Sequence, residues 1–424
     1  MNDTALEAFL KRNCLTAENY DMAAEIGAFR GDMLCGLAGE AATLPMIPTF
    51  LAPVKSTAES RRIIAIDAGG TNLRTGVVTV TDGKVTDVEF TKCRIPGTDR
   101  ELTNEEFYDA VAQRLVPYLD QSDAIGFCFS YAAECMDNGD ARLYRFCKEV
   151  KVSGAEGKLI CAELLAAIRR LGVTGEYRCV QLNDTVATML GGMAVLRRED
   201  YDGFIGFILG TGINACYVEN TAGITKYHGT GFSEEQMIVN MESGIYGGFA
   251  RGPIDERIDA ASAIPGDHMA EKMLGGAYLG KIIAEAMQDA AAEGFLQSAL
   301  PRELREIPTM DVDAFLAGQP GVLDTLLVPE DRQTVRRIIL SVYGRTARLM
   351  AVMLASVALH TGCGREKPMC VVLEGSTYHK SPMLQKAVAA ELRALKLFYG
   401  ISFEIVNANN QTLAGAAYAA LPRK

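Results

Sequence analysis

Three short stretches hold residues whose types and spacing could do chemistry. "VQLNDTVATML" (180–190) sets Asn183 and Asp184 between an apolar run and an Ala/Thr/Met-rich run. It reads as a strand closing at Leu182 and a helix opening near Asp184, so either side chain could cap the helix by accepting from its free backbone N–H groups. The mouth of a strand-to-helix turn is also where α/β proteins place catalytic carboxylates. The eleven residues leave both readings open. In "DAGGTNLR" (67–74), Gly69 and Gly70 permit positive φ and close approach of the backbone to a ligand. Thr71 and Asn72 add hydrogen-bonding side chains, and successive N–H groups can form an anion nest. Asp67, at the strand end, can hold a hydrated magnesium ion beside phosphate oxygens. One such turn is commonly just a tight hairpin. A second, "LGTGIN" (209–214), brings Gly210 and Thr211, and two facing Gly-Thr clips with one Asp are the minimum for clamping a Mg-nucleotide.

The elements that must position these residues follow from periodicity. Residues 1–45 have helical spacing, with Phe29, Met33, Leu34 and Leu37 on one side. The prolines of "LPMIPTFLAP" end it and lead into a linker, "VKSTAESRR". Strands "RIIAIDA", "LRTGVVTV" and "VTDVEFTKCRI", a helix over 103–118 and a strand "AIGFCFS" then mix hairpins with crossovers. After a helix over 184–197, "GFIGFILG", a Gly-Thr turn and "INACYVEN" repeat the earlier strand–turn–strand plan about 140 positions on. Helices near 267–292 and 330–360 follow, then strand "MCVVLEG", a helix from about 382, strand "ISFEIV" and a last short helix, "QTLAGAAYAAL".

Composition narrows the class. The chain has 424 residues, enough for two or three domains. A net charge of −11 argues against a nucleic-acid or anionic-membrane surface, so phosphate must be met by backbone donors and a few cations. Eleven scattered cysteines without a C-x-x-C pair read as reduced thiols, which fits a cytoplasmic location and no structural zinc. "MNDTALEAF" lacks the apolar run of a signal peptide, and the longest apolar run, Leu349–Leu359, is half a bilayer span and reads as a buried helix. "GGAYLGKI" (275–282) nearly satisfies the P-loop pattern, but Ile282 replaces the magnesium-binding hydroxyl and the stretch is helical.

The two turns resemble the phosphate 1 and phosphate 2 loops of the actin-like ATPase superfamily, and the words around them resemble the hexokinase family. "LNDTVATM" is similar to its V-N-D-T-V-x-T block, and "GTGINACYVE" to G-T-G-x-N-A-C-Y-x-E. "VNMESGIYG" is similar to N-M-E-W-G-x-F-G, "EKMLGGAYLGKI" to E-K-M-x-x-G-x-Y-L-G-E, and "LEGSTYHKSP" to the adenosine motif V-D-G-[T/S]-x-Y-x-x-x-P. "FSYAAECMDNGDARLYRFCKEVKVSG" lies ungapped on F-S-F-P…W-T-K-G-F-x-x-S-G, and "MIPTF" on M-L-P-T-F. The likeness runs in order from about residue 46 to the C-terminus.

That resemblance implies an α/β, two-domain ribonuclease H-like/actin-like ATPase fold with duplicated mixed β-sheet domains and a cleft between them. The small domain would be 60–196 plus 411–424, and the large domain 1–59 plus 197–410. It implies ATP-dependent phosphorylation of a hexose at the 6-hydroxyl. Asp184 would take the hydroxyl proton, and Lys148 would stabilise the transferring phosphoryl group. Ser130, Cys147, Lys148, Asn183, Asp184, Asn214, Glu242 and Glu271 would meet the sugar. Asp67, Gly69, Gly70, Thr71, Asn72, Arg74, Gly210, Thr211, Gly375 and Ser376 would cradle ATP, with Asp67 on Mg2+ through water. Taken alone, Lys148 would be a solvated charge, Glu242 an exposed strand-end acid and Glu271 a helix-surface charge paired with Lys272. The implied partners are a small-molecule hexose and ATP, with no nucleic acid or membrane, and the oligomeric state stays open.

Departures gather around the sugar. Cys147 replaces the family Thr, Ala132 a proline, Phe146 and Ser243 tryptophans, and Glu149 a glycine; the chain has no Trp. Glucose is the default, with mannose, fructose or glucosamine as alternatives. A bacterial repressor-type kinase lacks support because its zinc motif is absent, and a chaperone- or actin-like ATPase has no need of the sugar set Asn183, Asn214, Glu242 and Glu271. A non-catalytic sugar sensor is the rival of a different class.

Overall fold

The computed structural model describes residues 3–53, 59–70, 72–146, 150–229, 231–407 and 410–421. Among the described residues, fifteen strands form two main sheets and two small ones. The strands are β1 (Ile47–Pro48), β2 (Arg61–Gly69), β3 (Asn72–Thr81), β4 (Lys84–Arg94), β5 (Leu102–Thr103), β6 (Ala124–Phe129), β7 (Ala133–Cys135) and β8 (Ala141–Leu143). They continue as β9 (Val152–Ser153), β10 (Arg178–Leu182), β11 (Gly203–Leu209), β12 (Ile213–Asn220), β13 (Gln236–Asn240), β14 (Met369–Glu374) and β15 (Phe403–Val406). One sheet runs β10-β6-β2-β3-β4 and the other β1-β13-β12-β11-β14-β15, while β5 pairs with β9 and β7 with β8.

The two sheets follow one plan. In each, the first two strands make an antiparallel hairpin, the third joins the hairpin's second strand, and two later strands add in parallel beside the first. The strand–turn–strand echo in the sequence is therefore a repeated topology, with short β1 added at one edge. Continuous burial of Ile63–Ala68, Ala124–Phe129 and Met369–Leu373 reflects sheets covered on both faces.

Two helices lie between the sheets, Asp184–Val195 and Gln411–Ala419. They share a core with Ala65 and Cys128 from one sheet and with Phe204, Cys216 and Val372 from the other. Their backbones meet where glycine removes a side chain. A Cβ on Gly415 would stand 1.8 Å from the Ala187 carbonyl oxygen, and one on Gly191 2.1 Å from that of Gln411. Gly126 of β6 repeats this, 1.8 Å from the Ala416 carbonyl.

The helix Arg332–Thr361 contains the apolar run and is long and apolar enough to cross a membrane, but that window is 78% buried inside the molecule. It is the central helix under the six-stranded sheet, packed on the helices Met22–Ala38, Gly276–Ala292 and Pro382–Tyr399. Two details differ from expectation. Leu34 is 50% exposed while Phe29, Met33 and Leu37 are buried, because the 3.6-residue period carries 34 past the edge of the buried stripe. The helix expected over 267–292 breaks at Gly275, giving Met269–Leu274 and Gly276–Ala292.

Gly415→Ala is expected to cost ~3 kcal/mol or more, through overpacking against a carbonyl that cannot retreat without separating the helices. Gly344→Ala, mid-helix with nothing near its Cβ position, should instead stabilise by about 0.5–1 kcal/mol. Urea melts of both variants check the contrast; equal midpoints would contradict the close approach.

Candidate active site

Asn183 is the helix cap: its backbone is extended and its Oδ1 accepts the Thr185 N–H at 2.9 Å. Asp184 is thus the first helical residue. Its Oδ1 takes bonds from Thr185 N at 2.8 Å and Thr185 Oγ1 at 3.4 Å, so one edge of the carboxylate is fixed by the turn that presents it. Cap and acid are two adjacent residues.

The hairpin β2–β3 closes at Gly69 opposite Asn72. Asp67, 7% exposed, accepts from Thr412 Oγ1 at 2.8 Å and lies 3.6 Å from the Arg74 guanidinium. Burial raises its carboxyl above the usual range; Arg74 and Thr412 oppose that, and the Asp184 charge adds to it. Glu374, the last residue of β14, is raised in the same way by burial and by Asp67 and Asp184, against a bond from Thr188. Ser130 abuts the turn, donating its N–H to Ala68 O at 3.1 Å, with Oγ 3.6 Å from the Cβ position of Gly69. Among the described residues, nothing beyond its chain neighbours stands within 4 Å of the Cβ position of Gly70.

The second turn is tied down by backbone bonds. Gly210 O accepts from Gly276 N at 2.8 Å and Thr377 Oγ1 at 2.8 Å, and Thr211 O from Ala277 N at 3.0 Å, leaving the Thr211 side exposed. Gly375 has φ of 128°, and a Cβ there would stand 2.2 Å from the Leu209 carbonyl, so only glycine brings Ser376 beside Gly210.

The remaining acids and amides converge from the six-stranded side. Asn214 Nδ2 donates to Asn240 Oδ1 at 2.9 Å, and Asn240 Nδ2 donates to Glu242 Oε1 at 2.7 Å. Glu242 sits in the left-handed region at φ 52°, which turns it inward. Burial raises its carboxyl; the Asn240 bond and the nearby His268 counter this, and Asp184 and Glu271 push it higher. Glu271 Oε2 accepts Ile213 N at 3.2 Å and reaches the second turn because Gly212, whose Cβ would lie 2.2 Å away, has no side chain.

Several simple readings fall here. Lys272 does not pair with Glu271; it is 3% exposed and donates to Asp259 at 2.5 Å, because the short helix turns it into the core. Glu242 is not a strand-end surface acid. Sequence reasoning missed Asn240, Thr412 and Glu374. Only Glu374 had a local signal, the acid before the glycine of "LEGST".

Thr71, Cys147, Lys148 and Glu149 lie outside the described residues. Their neighbour Phe146 is held by Phe107, Tyr131 and Phe129, with ring centroids at 5.0, 5.0 and 5.7 Å. Ser243 is fully buried, its N–H on Asn214 Oδ1 at 3.2 Å.

No three His, Cys, Asp or Glu side chains gather into a metal cage among the described residues. Burial nonetheless raises Asp67 and Glu374, the Asp184 charge adds to both, and the Asp67 charge adds to Glu374. That donor set suits a divalent ion whose other ligands are water and phosphate oxygens.

Residues 5–194 and 204–422 match two family models, each described as hexokinase, and the second alone covers more than half of the chain. The chain belongs to the hexokinase family. It is accordingly a hexose kinase by descent. Hexokinase-1 of Schizosaccharomyces pombe is 28% identical over 389 residues, 85% of this chain and 79% of that one. Human Hexokinase-3 is 30% identical over 410 residues, 89% of this chain but 43% of that one, so the chain spans under half of this relative's length. A hexokinase from Schistosoma mansoni, complexed with glucose, shares the fold with a TM-score of 0.79 at 21% identity over 99% of both chains. A ROK hexokinase from Thermus thermophilus is more distant, with a TM-score of 0.52 at 18% identity, over 85% of this chain and 97% of that one.

The fully buried Arg345 braces the helix Met269–Leu274, which carries Glu271. It bonds Asp255 at 2.8 and 3.0 Å, Met273 O at 3.3 Å and Cys14 O at 3.2 Å. Arg345→Met leaves Asp255 buried and unpaired, with an expected loss of about 3–5 kcal/mol in denaturant unfolding. Adding Asp255→Leu should restore much of it; a single-variant loss below ~1 kcal/mol would contradict this role.

Proposed function

We propose that this chain transfers the γ-phosphoryl group of ATP to the 6-hydroxyl of a hexose, with glucose as the default acceptor and Asp184 as the base. The observation that carries the reading is the position of the Asp184 charge. It acts on Asp67 and Glu374, beside the Gly-Thr turns, and also on Glu242, in the amide-and-acid group. One carboxylate thus stands between a phosphate side and a polyol side.

The steps follow from the groups in place. Glu242, Glu271, Asn183 and Asn214 bind sugar hydroxyls, since carboxylates and amides can accept from neighbouring hydroxyls and amides can also donate. Asp184 accepts the 6-hydroxyl proton as the O6–P bond forms, and the bond from phosphorus to the β–γ bridging oxygen breaks with its electron pair leaving on ADP. Backbone N–H groups of the two turns, with Gly375 and Ser376, receive the phosphates, and Lys148 would meet the charge developing on the transferred group. Magnesium, held by Asp67 through water, would neutralise phosphate charge. Closure of the two sheet units on the sugar would exclude water as a competing acceptor.

Asp184→Ala should lower kcat on the preferred hexose by about 10²–10⁴-fold while leaving sugar binding and melting behaviour nearly intact. A coupled assay over a hexose panel reads this. Near-normal turnover would return Asp184 to a helix-start role, and tight sugar binding without turnover in the unaltered protein would favour a sensor.

Protonating Glu242 removes its charge and turns one of its two accepting oxygens into a donor, which weakens its hold on hydroxyls. Falling pH protonates it, and because burial raises its carboxyl, that loss begins at a higher pH than for an exposed glutamate. The hexose KM should therefore rise on the acid side while kcat changes less. Glu242→Gln should raise KM at all pH values and flatten this limb; an unchanged limb would assign it to another group.

A further inference from the structure

The amides behind Glu242 form a line of hydrogen bonds with a fixed direction. Asn214 Oδ1 accepts two backbone N–H groups, from Ala215 at 2.7 Å and from Ser243 at 3.2 Å. A backbone N–H can only donate, so this amide has one allowed orientation, oxygen toward the backbone and NH2 away from it. The NH2 group donates to Asn240 Oδ1 at 2.9 Å, which orients the second amide in turn. Asn240 Nδ2 then donates to Glu242 Oε1 at 2.7 Å.

An amide can ordinarily be turned end for end. Here a half-turn of Asn214 or of Asn240 would set donor against donor at one side and acceptor against acceptor at the other. Both amides are buried, so a bond lost in this line leaves a polar group unpaired at its desolvation cost. The register of the sheet makes the line possible: Asn240 stands opposite Cys216, two residues on from Asn214, so both amides project from one face. One N–H of Asn214 and Glu242 Oε2 remain outside it.

We propose that Asn240 is a positioning residue, which carries the polarity set by the backbone at Asn214 through to Glu242. A sugar then meets a donor at 214 beside an accepting carboxylate at 242. The inference rests on the reading of Asn214 and Glu242 as sugar contacts, and it deepens that reading. Hydroxyl groups suit the pair because each can accept from one side and donate to the other.

The test is calorimetric titration of the full chain with glucose, mannose and fructose, using wild type, Asn240→Asp and Asn240→Leu, with circular-dichroism melts to verify folding. Asn240→Asp keeps the size and keeps an acceptor toward Asn214, but it sets a second carboxylate against Glu242 where the donor stood. At about pH 8 its affinity for the preferred sugar should be about ten- to a hundredfold below wild type. At about pH 5.5 a proton shared between the facing carboxyls restores an O–H donor, so the gap should narrow to about threefold or less. Asn240→Leu keeps the volume and loses both bonds, so it should bind weakly at both pH values. Asp184, His268, Glu271 and Cys135 also face Glu242, and burial pushes the Cys135 thiol up to about 12, which keeps it neutral. These groups are common to all three proteins, so affinity relative to wild type isolates position 240. Wild-type affinity in both variants, or an Asn240→Asp gap that stays constant with pH, would overturn the positioning role while leaving the sugar reading in place. If wild type binds none of the three sugars, the sugar reading falls and this role falls with it.

Discussion

Everything at the centre of the molecule depends on how closely two helices can approach. Asp184–Val195 and Gln411–Ala419 touch carbonyl to glycine, with no side chain between them at Gly415 and Gly191, and Gly126 lets a strand join the same contact. That approach sets the separation of the two sheets, because both helices share one core with strands of each. It also sets the chemistry, since each helix delivers a polar residue at its start. Asp184 opens one, and Thr412, second in the other, holds Asp67. A wider crossing would separate Asp184 from the hairpin turn that carries Asp67.

Burial then does electrostatic work. Asp67, Glu374 and Glu242 are all raised by desolvation, and Asp184 raises each further. Acids held so close in a partly dry cleft repel, and the free protein is relieved by whatever brings positive charge or hydroxyl donors. On the proposed reading, substrate and metal would meet a site already in need of them, which is a form of preorganisation. The brace behind it is uncharged overall: the Arg345–Asp255 pair neutralises itself in the core, and Arg345 also donates to the Cys14 and Met273 carbonyls.

The sequence made legible what local rules control. Glycine-bearing hairpins announce themselves, and the strand–turn–strand echo is visible because each half must make the same turn at the same strand end. The cap at Asn183 was legible as one of two choices, and the structure divides the roles between neighbours. What stayed hidden is set by tertiary contacts. Nothing local distinguishes Lys272 on a surface from Lys272 buried on Asp259, and the left-handed backbone at Glu242 comes from the turn that follows β13. Asn240 reaches Asn214 only because β12 and β13 pair in a register that sets it opposite Cys216, two residues further along β12. The family resemblance supplied Glu242 and Glu271 where spacing alone gave surface acids.

The aromatic cluster around Phe146 has a consequence of another kind. Phe146 packs edge to face on Phe107, Phe129 and Tyr131 just before residues 147–149. The chain has no tryptophan, so its emission comes from fifteen tyrosines alone. One indole placed at 146 would be the sole long-wavelength emitter in the protein, lodged among rings beside the segment expected to meet the sugar. The natural sequence has thus left its own binding event optically blank, and one ring change would give it a signal.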